Sequence, residues 1–419
     1  MEKNILAIDI GTKHITVAIG SVDENNAQIN LMGIASTITK GYQNGVVIHL
    51  ENFMNSIKNA VDRAQTDAGI TETNAVIGFS SPEIYSINTQ GVINRIKANQ
   101  EISENDIQNV LDSAKSSLHL IDREILHIFP QKFILDDQIE VTEPIGMLAK
   151  KISVNAHIIT CPSSLLHNLQ RAIIKLGYNP TALVLNQIAA SSVLLTKDQK
   201  KLGVILVDIG ASTINIALFI QGYIWHTSVK IPAGNIITRD LAVNFRIPFA
   251  EAERLKEKEC NLINNDESVL KVKALGSRQE KLIKLADLNN ICRARIKEII
   301  DIIVIDIINT NINESIPVGI VFCGGTAKLK GLCEYLSSVI KTTPFNIGHI
   351  NANIKGRKEV INNPNNAAVL GLLEYAKNNI KSNDFTSKIF NNYSEFSIFN
   401  DEVKYKIKNV ITNIKEKFF

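Results

Sequence analysis

An internal repeat constrains this chain more than any other feature. Asp9-Ile10-Gly11 is followed by Ile15 and Ala18, and Asp208-Ile209-Gly210 is followed by Ile214 and Ala217 at the same offsets. In both copies an apolar strand (5–8, then 204–207) runs into Asp-x-Gly, a short polar turn and a second β-rich strand, the pattern of a hairpin. Two such hairpins about half a chain apart predict two similar lobes facing each other. A length of 419 residues is enough for more than one hydrophobic core.

Around the repeat, strands alternate with helices. The pattern predicts a helix over 53–69, a strand over 75–79, and a helix over 163–177 with its stripe at Leu165, Leu166, Leu169, Ile173 and Leu176. A long amphipathic helix over 291–309 precedes a buried strand that enters Gly324-Gly325, and a last helix over 366–377 follows Pro364. This alternation implies an α/β architecture with partly parallel sheets. Residues 379–400, rich in Asn, Ser and Lys, read as a linker.

The three glycine turns suggest the chemistry. A nucleoside triphosphate needs backbone amides around its phosphates and a divalent ion balanced by carboxylates, through water in the case of magnesium. Asp9 and Asp208 supply carboxylates from two opposed turns, Gly11 and Thr12 flank the first, and Gly210, Ala211, Ser212 and Thr213 flank the second. Gly324 and Gly325 allow close backbone approach to a base or ribose. A lone Asp-x-Gly is ordinarily just a tight turn; the paired repeat followed by a late Gly-Gly makes the ligand reading the stronger one.

Composition excludes several alternatives. Lys+Arg (45) nearly balance Asp+Glu (42), so nucleic acid is not a favoured partner. The start MEKNILAID lacks an export-signal pattern and no long uncharged apolar run occurs, so a cytoplasmic chain that does not span a membrane is expected. Five scattered cysteines without CxxC spacing support neither a disulfide framework nor zinc. Trp225 and Tyr223 are expected to pack on a short strand after the second hairpin.

At the far end, Val403, Ile407, Val410, Ile411, Ile414 and Phe418 fall on one helical face, with Lys404, Lys408, Lys415 and Lys417 off it and Phe419 closing the chain. That pattern predicts an in-plane anchor on an anionic membrane surface.

DIGTKHITVAIG, VDIGASTINIALF, IPAGNIITRDLA and VFCGGTAKLKGL, in this order, resemble the phosphate, connecting and adenosine segments of the actin, Hsp70 and sugar-kinase superfamily. INTQGV, REILHIFPQKFILD, PIGM and AEAERLKEK are in turn similar to segments of the FtsA family, and the match extends from residue 4 to about 378. The resemblance implies an α/β, two-lobed actin-like (ribonuclease H-like, duplicated) fold with an inserted α/β subdomain and a C-terminal amphipathic helix. It divides the chain into a first lobe (1–81, 158–195, 362–378), the insert (82–157), a second lobe core (196–243, 310–361) and a helical nucleotide-flanking subdomain (244–309). The linker (379–400) and the membrane helix (401–419) complete it.

The resemblance carries over residue by residue. Asp9, Gly11 and Thr12 match the first phosphate turn, beside which Lys13 is a further nucleotide-binding candidate, with Asp9 and Asp208 holding Mg2+ through water. Asp208, Gly210 and Thr213 match the second turn, where Ala211 and Ser212 stand in for its usual glycines as nucleotide-binding candidates, and Gly234 and Asn235 match the connecting motif. Glu253 and Lys256 match the base-flanking pair, and Gly324, Gly325 and Thr326 the adenosine turn. Arg295 matches a position on the face that binds the C-terminal peptide of FtsZ, although Arg293, Arg295 and Lys297 also read as an ordinary solvated helix face.

Departures shape the expected activity. Ala211 and Ser212 stand where glycines are usual, Asn215 where an aspartate is common, and Lys13-His14 where serine and lysine are frequent. The segment that positions the attacking water in relatives reads LNQIAAS, leaving Asn186 or Gln187 there, and neither amide is a general base. No catalytic residue is therefore assigned, and ATP binding with weak or no turnover is expected. The resemblance implies a division protein that forms protofilaments, tethers FtsZ to the cytoplasmic face of the cell membrane at the division site, and recruits other division proteins. The alternatives are an active ATPase of the same superfamily and a PilM-like pilus-assembly scaffold.

Overall fold

Residues 3–23 show why the first hairpin forms. β-Branched and aliphatic side chains fill Lys3–Ile10 and His14–Asp23, and the first of these strands is buried from Ile5 onward. In the computed structural model, which describes residues 3–23, 28–95, 99–264, 267–276, 280–312 and 316–381, this hairpin is the centre of a six-stranded sheet. The linker after residue 381 and the anchor expected over 401–419 lie outside the described residues.

Two sheets share one topology. In the first, Gln28–Ile38, His14–Asp23 and Lys3–Ile10 run antiparallel, and Asn74–Phe79 and Asn179–Leu185 continue parallel to the last of them. In the second, Tyr223–Lys230, Ile214–Ile220 and Val204–Ile209 run antiparallel, and Ile320–Cys323 and Phe345–Ile347 continue in parallel. The sequence repeat is thus the visible part of a duplicated five-strand unit. Ile354–Lys355 adds a short edge strand to the first sheet only.

Helix Asn186–Leu194 sits between the two units. Nearly every side chain it carries is buried, as expected of a helix enclosed on all sides. The hydrophobic core of the first lobe continues past it onto Leu206, Ala217 and Phe219 of the second sheet. A second core lies on the far face of that sheet, against helices Gly234–Phe245 and Leu285–Ile308.

The insert is an antiparallel sheet ordered Tyr85–Asn94, Lys151–Pro162, Arg123–Leu135, Ile139–Val141. Helix Glu104–Ser116 covers it, with Ile107, Val110, Leu111 and Ala114 buried in a separate small core. A reciprocal capping box fixes the start of that helix: the Ser103 hydroxyl accepts from the Asp106 amide and Asp106 accepts from the Ser103 amide.

Some boundaries differ from the sequence expectation. The helix expected over 53–69 begins at Leu50, because His49 caps it by accepting from the Asn52 amide, and stops at Ala68 before left-handed Gly69. The last helix, Ala367–Lys381, outruns 377. Within 244–309, between the helices, Val269–Lys273 and Glu280–Lys284 pair as a hairpin. Among the described residues no helix is long and apolar enough to cross a membrane.

Candidate functional site: a cleft between two aspartate turns

Because the two hairpins are equivalent, their turns meet across a shared cleft of about 460 Å³. In both, the glycine amide closes the turn on a carbonyl three residues on: Gly11 N–H to His14 (3.1 Å) and Gly210 N–H to Thr213 (2.9 Å). This brings Asp9 and Asp208, each at the end of a buried strand, to the cleft wall.

Each carboxylate is held by one asparagine. Asn186 donates its side-chain amide to Asp9 Oδ1 at 2.8 Å, and Asn215 donates to Asp208 Oδ2 at 2.9 Å. Burial, and then the neighbouring charge of Asp208, push the Asp9 carboxyl up to about 7 against the opposing bond from Asn186. Asp208 is also raised by burial, opposed by Asn215. Two buried carboxylates, one of them further raised by the charge of the other, favour a cation between them. The side-chain carbonyl oxygens of Asn186 and Asn215 are buried without a partner, which suits acceptance from metal-bound water. The donor set therefore fits Mg2+. No group of three or more His, Cys, Asp or Glu among the described residues could hold a metal, so water and phosphate would complete its oxygen shell.

Gly11, Thr12, Lys13, Gly210, Ala211, Thr213, Glu253, Lys256, Gly324, Gly325 and Thr326 line the same cleft. Gly324 has φ +85°, and a Cβ there would lie 2.2 Å from Asp208 Oδ1, so this backbone passes directly over the second aspartate. Ser212, Gly234 and Asn235 stand behind the wall instead. Asn235 donates to Ser212 Oγ (3.3 Å) and, through its amide, to the Ala211 carbonyl (2.7 Å), while the Gly234 amide donates to the Gly210 carbonyl (3.1 Å). These bonds tie the second turn to the start of helix Gly234–Phe245.

Helix Phe249–Lys258 forms the rim. Lys256 is buried, donates to Thr238 Oγ1 (2.9 Å) and pairs with Glu253 (2.7 Å), and Thr238 donates to Glu253. Burial opposes ionisation of Glu253, but the Lys256 charge with bonds from Lys13, Lys256 and Thr238 outweighs it and holds the carboxyl at about 2. Lys13 crosses the cleft mouth and clasps Glu253 (2.6 Å) and Glu257 (2.7 Å).

The two water-positioning candidates separate in the structure. Asn186 lines the cleft, whereas Gln187 is fully buried and reaches the Ser228 carbonyl at 3.5 Å. Arg295 is engaged within the second lobe, pairing with Asp240 and Glu298. Sequence reasoning missed Glu257 and the loop of Asn363, Pro364, Asn365 and Asn366, which also line the cleft. Glu257 lies 244 residues from Lys13 and gives no local signal. The loop had one signal, the Pro364 that precedes the last helix.

Among solved structures, the chain is similar to one from a PilM-PilN type IV pilus biogenesis complex (TM-score 0.65, 14% identity, 89% of this chain and 98% of that one). It is also similar to MreB5 of Spiroplasma citri bound to AMPPNP (TM-score 0.53, 14% identity, 91% and 98%). With the duplicated sheets and the shared cleft, these likenesses define an actin-like fold.

Sequence comparison narrows the class. Residues 82–160 match the model of the SHS2 domain inserted in FtsA, and residues 205–371 match the model of cell division protein FtsA. The cell division protein FtsA of Pseudomonas aeruginosa is 32% identical over 89% of both chains, and that of Borreliella burgdorferi is 30% identical over 91% of this chain and 93% of its own. The chain belongs to the FtsA family of cell-division proteins.

Proposed function

We propose that this protein binds ATP with Mg2+ in the cleft and uses the nucleotide as a conformational ligand, with weak or no turnover. The observation that carries the reading is the pair of buried, asparagine-held aspartates with two orphaned amide oxygens beside them. Magnesium, when bound, would screen the phosphate charge; Asp9 and Asp208 would orient its waters. The amides of the two turns and Gly324-Gly325 would receive phosphates and nucleoside. Asn186, fastened to Asp9, holds that carboxylate in place and supplies no base, which favours binding over hydrolysis.

Calorimetric titration of the full chain with Mg-ATP tests this. Binding that Asp208→Ala abolishes, with phosphate release far below ~1 per second, is expected. Absence of binding, or turnover at kinase-like rates, overturns the reading.

On this reading the protein forms protofilaments through the insert, holds the C-terminal peptide of FtsZ on the second lobe near Arg295, and rests on the anionic inner membrane face at the division site through Val403, Ile407, Val410, Ile411, Ile414, Phe418 and Phe419, recruiting other division proteins there. Support comes from the family and from the amphipathic pattern of the tail. Co-sedimentation with anionic vesicles is expected for the full chain and not for one ending before Asp401. Because Arg295 already pairs with Asp240 and Glu298, a bound acidic peptide would have to share or displace them.

A further inference from the structure

Among the described residues, the second sheet ends in a strand that no other strand pairs with on its outer side. Tyr223–Lys230 pairs with Ile214–Ile220 on one side only, and the register slips so that Leu218 faces His226 and Phe219 faces Ile224, leaving Trp225 as a bulge. A free strand edge carries unpaired carbonyls and invites further pairing unless it is covered.

Here the insert covers it with side chains. Ser86 Oγ donates to the Thr227 carbonyl (2.7 Å), Asn88 Nδ2 to the carbonyl of the bulged Trp225 (2.9 Å), and Gln131 Nε2 to the Ile224 carbonyl (2.8 Å). His157 bridges the same seam, with Nδ1 2.7 Å from Asn88 Oδ1 and Nε2 3.0 Å from Thr227 Oγ1. Burial, then the charges of His226 and His127, push this imidazole down to about 3, so it is neutral. Nδ1 then donates to Asn88 and Nε2 accepts from Thr227.

The strand is pinned independently from its other side. His226, Ser228 and Lys230, alternate residues and hence on one face, all reach the buried Asp306 of helix Leu285–Ile308, at 2.9, 2.6 and 2.6 Å. The edge strand therefore moves with the second lobe, while the insert is carried by the first lobe between Asn74–Phe79 and Ser163–Lys175. The seam bridges the lobes in addition to the enclosed helix Asn186–Leu194 and the Lys13 clasp on Glu253 and Glu257. It consists of single side-chain bonds beside a small polar cavity lined by Asn88, Trp225, His226, Asp306, Asn309 and Thr310, not of a continuous ladder. Such contacts break and re-form singly, as a joint between moving parts requires.

We infer that the insert is a brace between the lobes: by capping the free edge of the second lobe's sheet, Ser86, Asn88 and Gln131 set how far the cleft opens. The inference does not depend on nucleotide binding.

Spin labels at two exposed positions on opposite lobes, Lys58→Cys and Lys297→Cys in a Cys333→Ser background, report the lobe separation of the full chain without nucleotide. The parent should show one main distance, with any longer population at or below ~10%. Ser86→Ala/Asn88→Ala/Gln131→Ala should raise the longer population several-fold. Thr89→Ala, whose hydroxyl bonds Ser117 within the insert, should leave it unchanged. A triple variant with the parent's distances, or a Thr89→Ala variant that opens equally, overturns the brace. Should the triple variant not fold, Ser86→Ala and Gln131→Ala taken singly are read in the same way.

Discussion

The two aspartate turns have the same backbone and different anchorage. Across the second hairpin, Asp208 faces Asn215 directly, so the residue that holds the carboxylate is seven positions away on the neighbouring strand. At the equivalent place in the first hairpin Asp9 faces Thr16, whose hydroxyl lies near Ser36 (3.3 Å), and the asparagine comes instead from residue 186 at the head of the interlobe helix. The second turn is thus a local device. The first is completed only by tertiary packing, and through Lys13 it also reaches the opposite lobe, where the second turn has Ser212 at the matching offset.

This contrast can be broken most sharply at Asp9. Its carboxyl is raised from 3.8 to about 7, so the folded state holds the proton more tightly than the unfolded chain does. Stability in the absence of ligand should therefore fall as pH rises from about 4 through about 7, by up to ~4 kcal/mol. Asp9→Asn removes that loss. Urea unfolding should find the variant more stable than the parent at pH 8 and little different at pH 4, while Mg-ATP binding disappears. Equal stabilities at pH 8 refute the raised Asp9 carboxyl, whose first cause is burial and second the charge of Asp208.

Next in size is the exchange of anchors. Asn186→Ala and Asn215→Ala each leave a buried carboxylate oxygen short of a donor, at a cost of ~1–3 kcal/mol. The larger loss of stability and Mg-ATP affinity is expected for Asn186→Ala, because its bond stabilises an Asp9 carboxylate that both burial and the charge of Asp208 oppose. The reverse order would mean that the local anchor matters more.

Smaller again is the difference between the turn glycines. A Cβ at Gly11 would lie 2.7 Å from the His14 carbonyl, whereas at Gly210 the nearest atom, the Thr213 carbonyl, is at 3.3 Å. Gly11→Ala should cost ~1–3 kcal/mol in thermal unfolding and Gly210→Ala less than ~1 kcal/mol. The smallest effect belongs to the clasp: Lys13 is partly exposed, so Lys13→Met should cost ~0.2–1 kcal/mol, and added salt should erase the difference from the parent.

Legibility in the sequence follows the same division. Both hairpins, the helix at 163–177 and the buried strand before Gly324 could be read because apolar alternation and turn residues are local signals. Asn215 was visible as a departure, but its task was not, since its meaning depends on the cross-strand register. The hairpin at 269–284 was hidden because its exposed strands alternate Lys with only two well-buried side chains, Val272 and Ile283. Lys13 was read for its place beside the phosphate turn; its partners Glu253 and Glu257 lie more than half a chain away.

By itself, the sequence determined that two Asp-x-Gly hairpins exist, that a glycine turn follows late in the chain, and that strands and helices alternate. Each of these depends on interactions between residues close together in the chain. The tertiary structure alone decided which asparagine holds Asp9, that Gln187 turns away from the cleft, that Lys13 closes its mouth, and that the insert covers the edge of the second sheet. All four are contacts between distant segments. They arise when the two lobes pack around the helix Asn186–Leu194, and no local pattern specifies the partner that packing brings near.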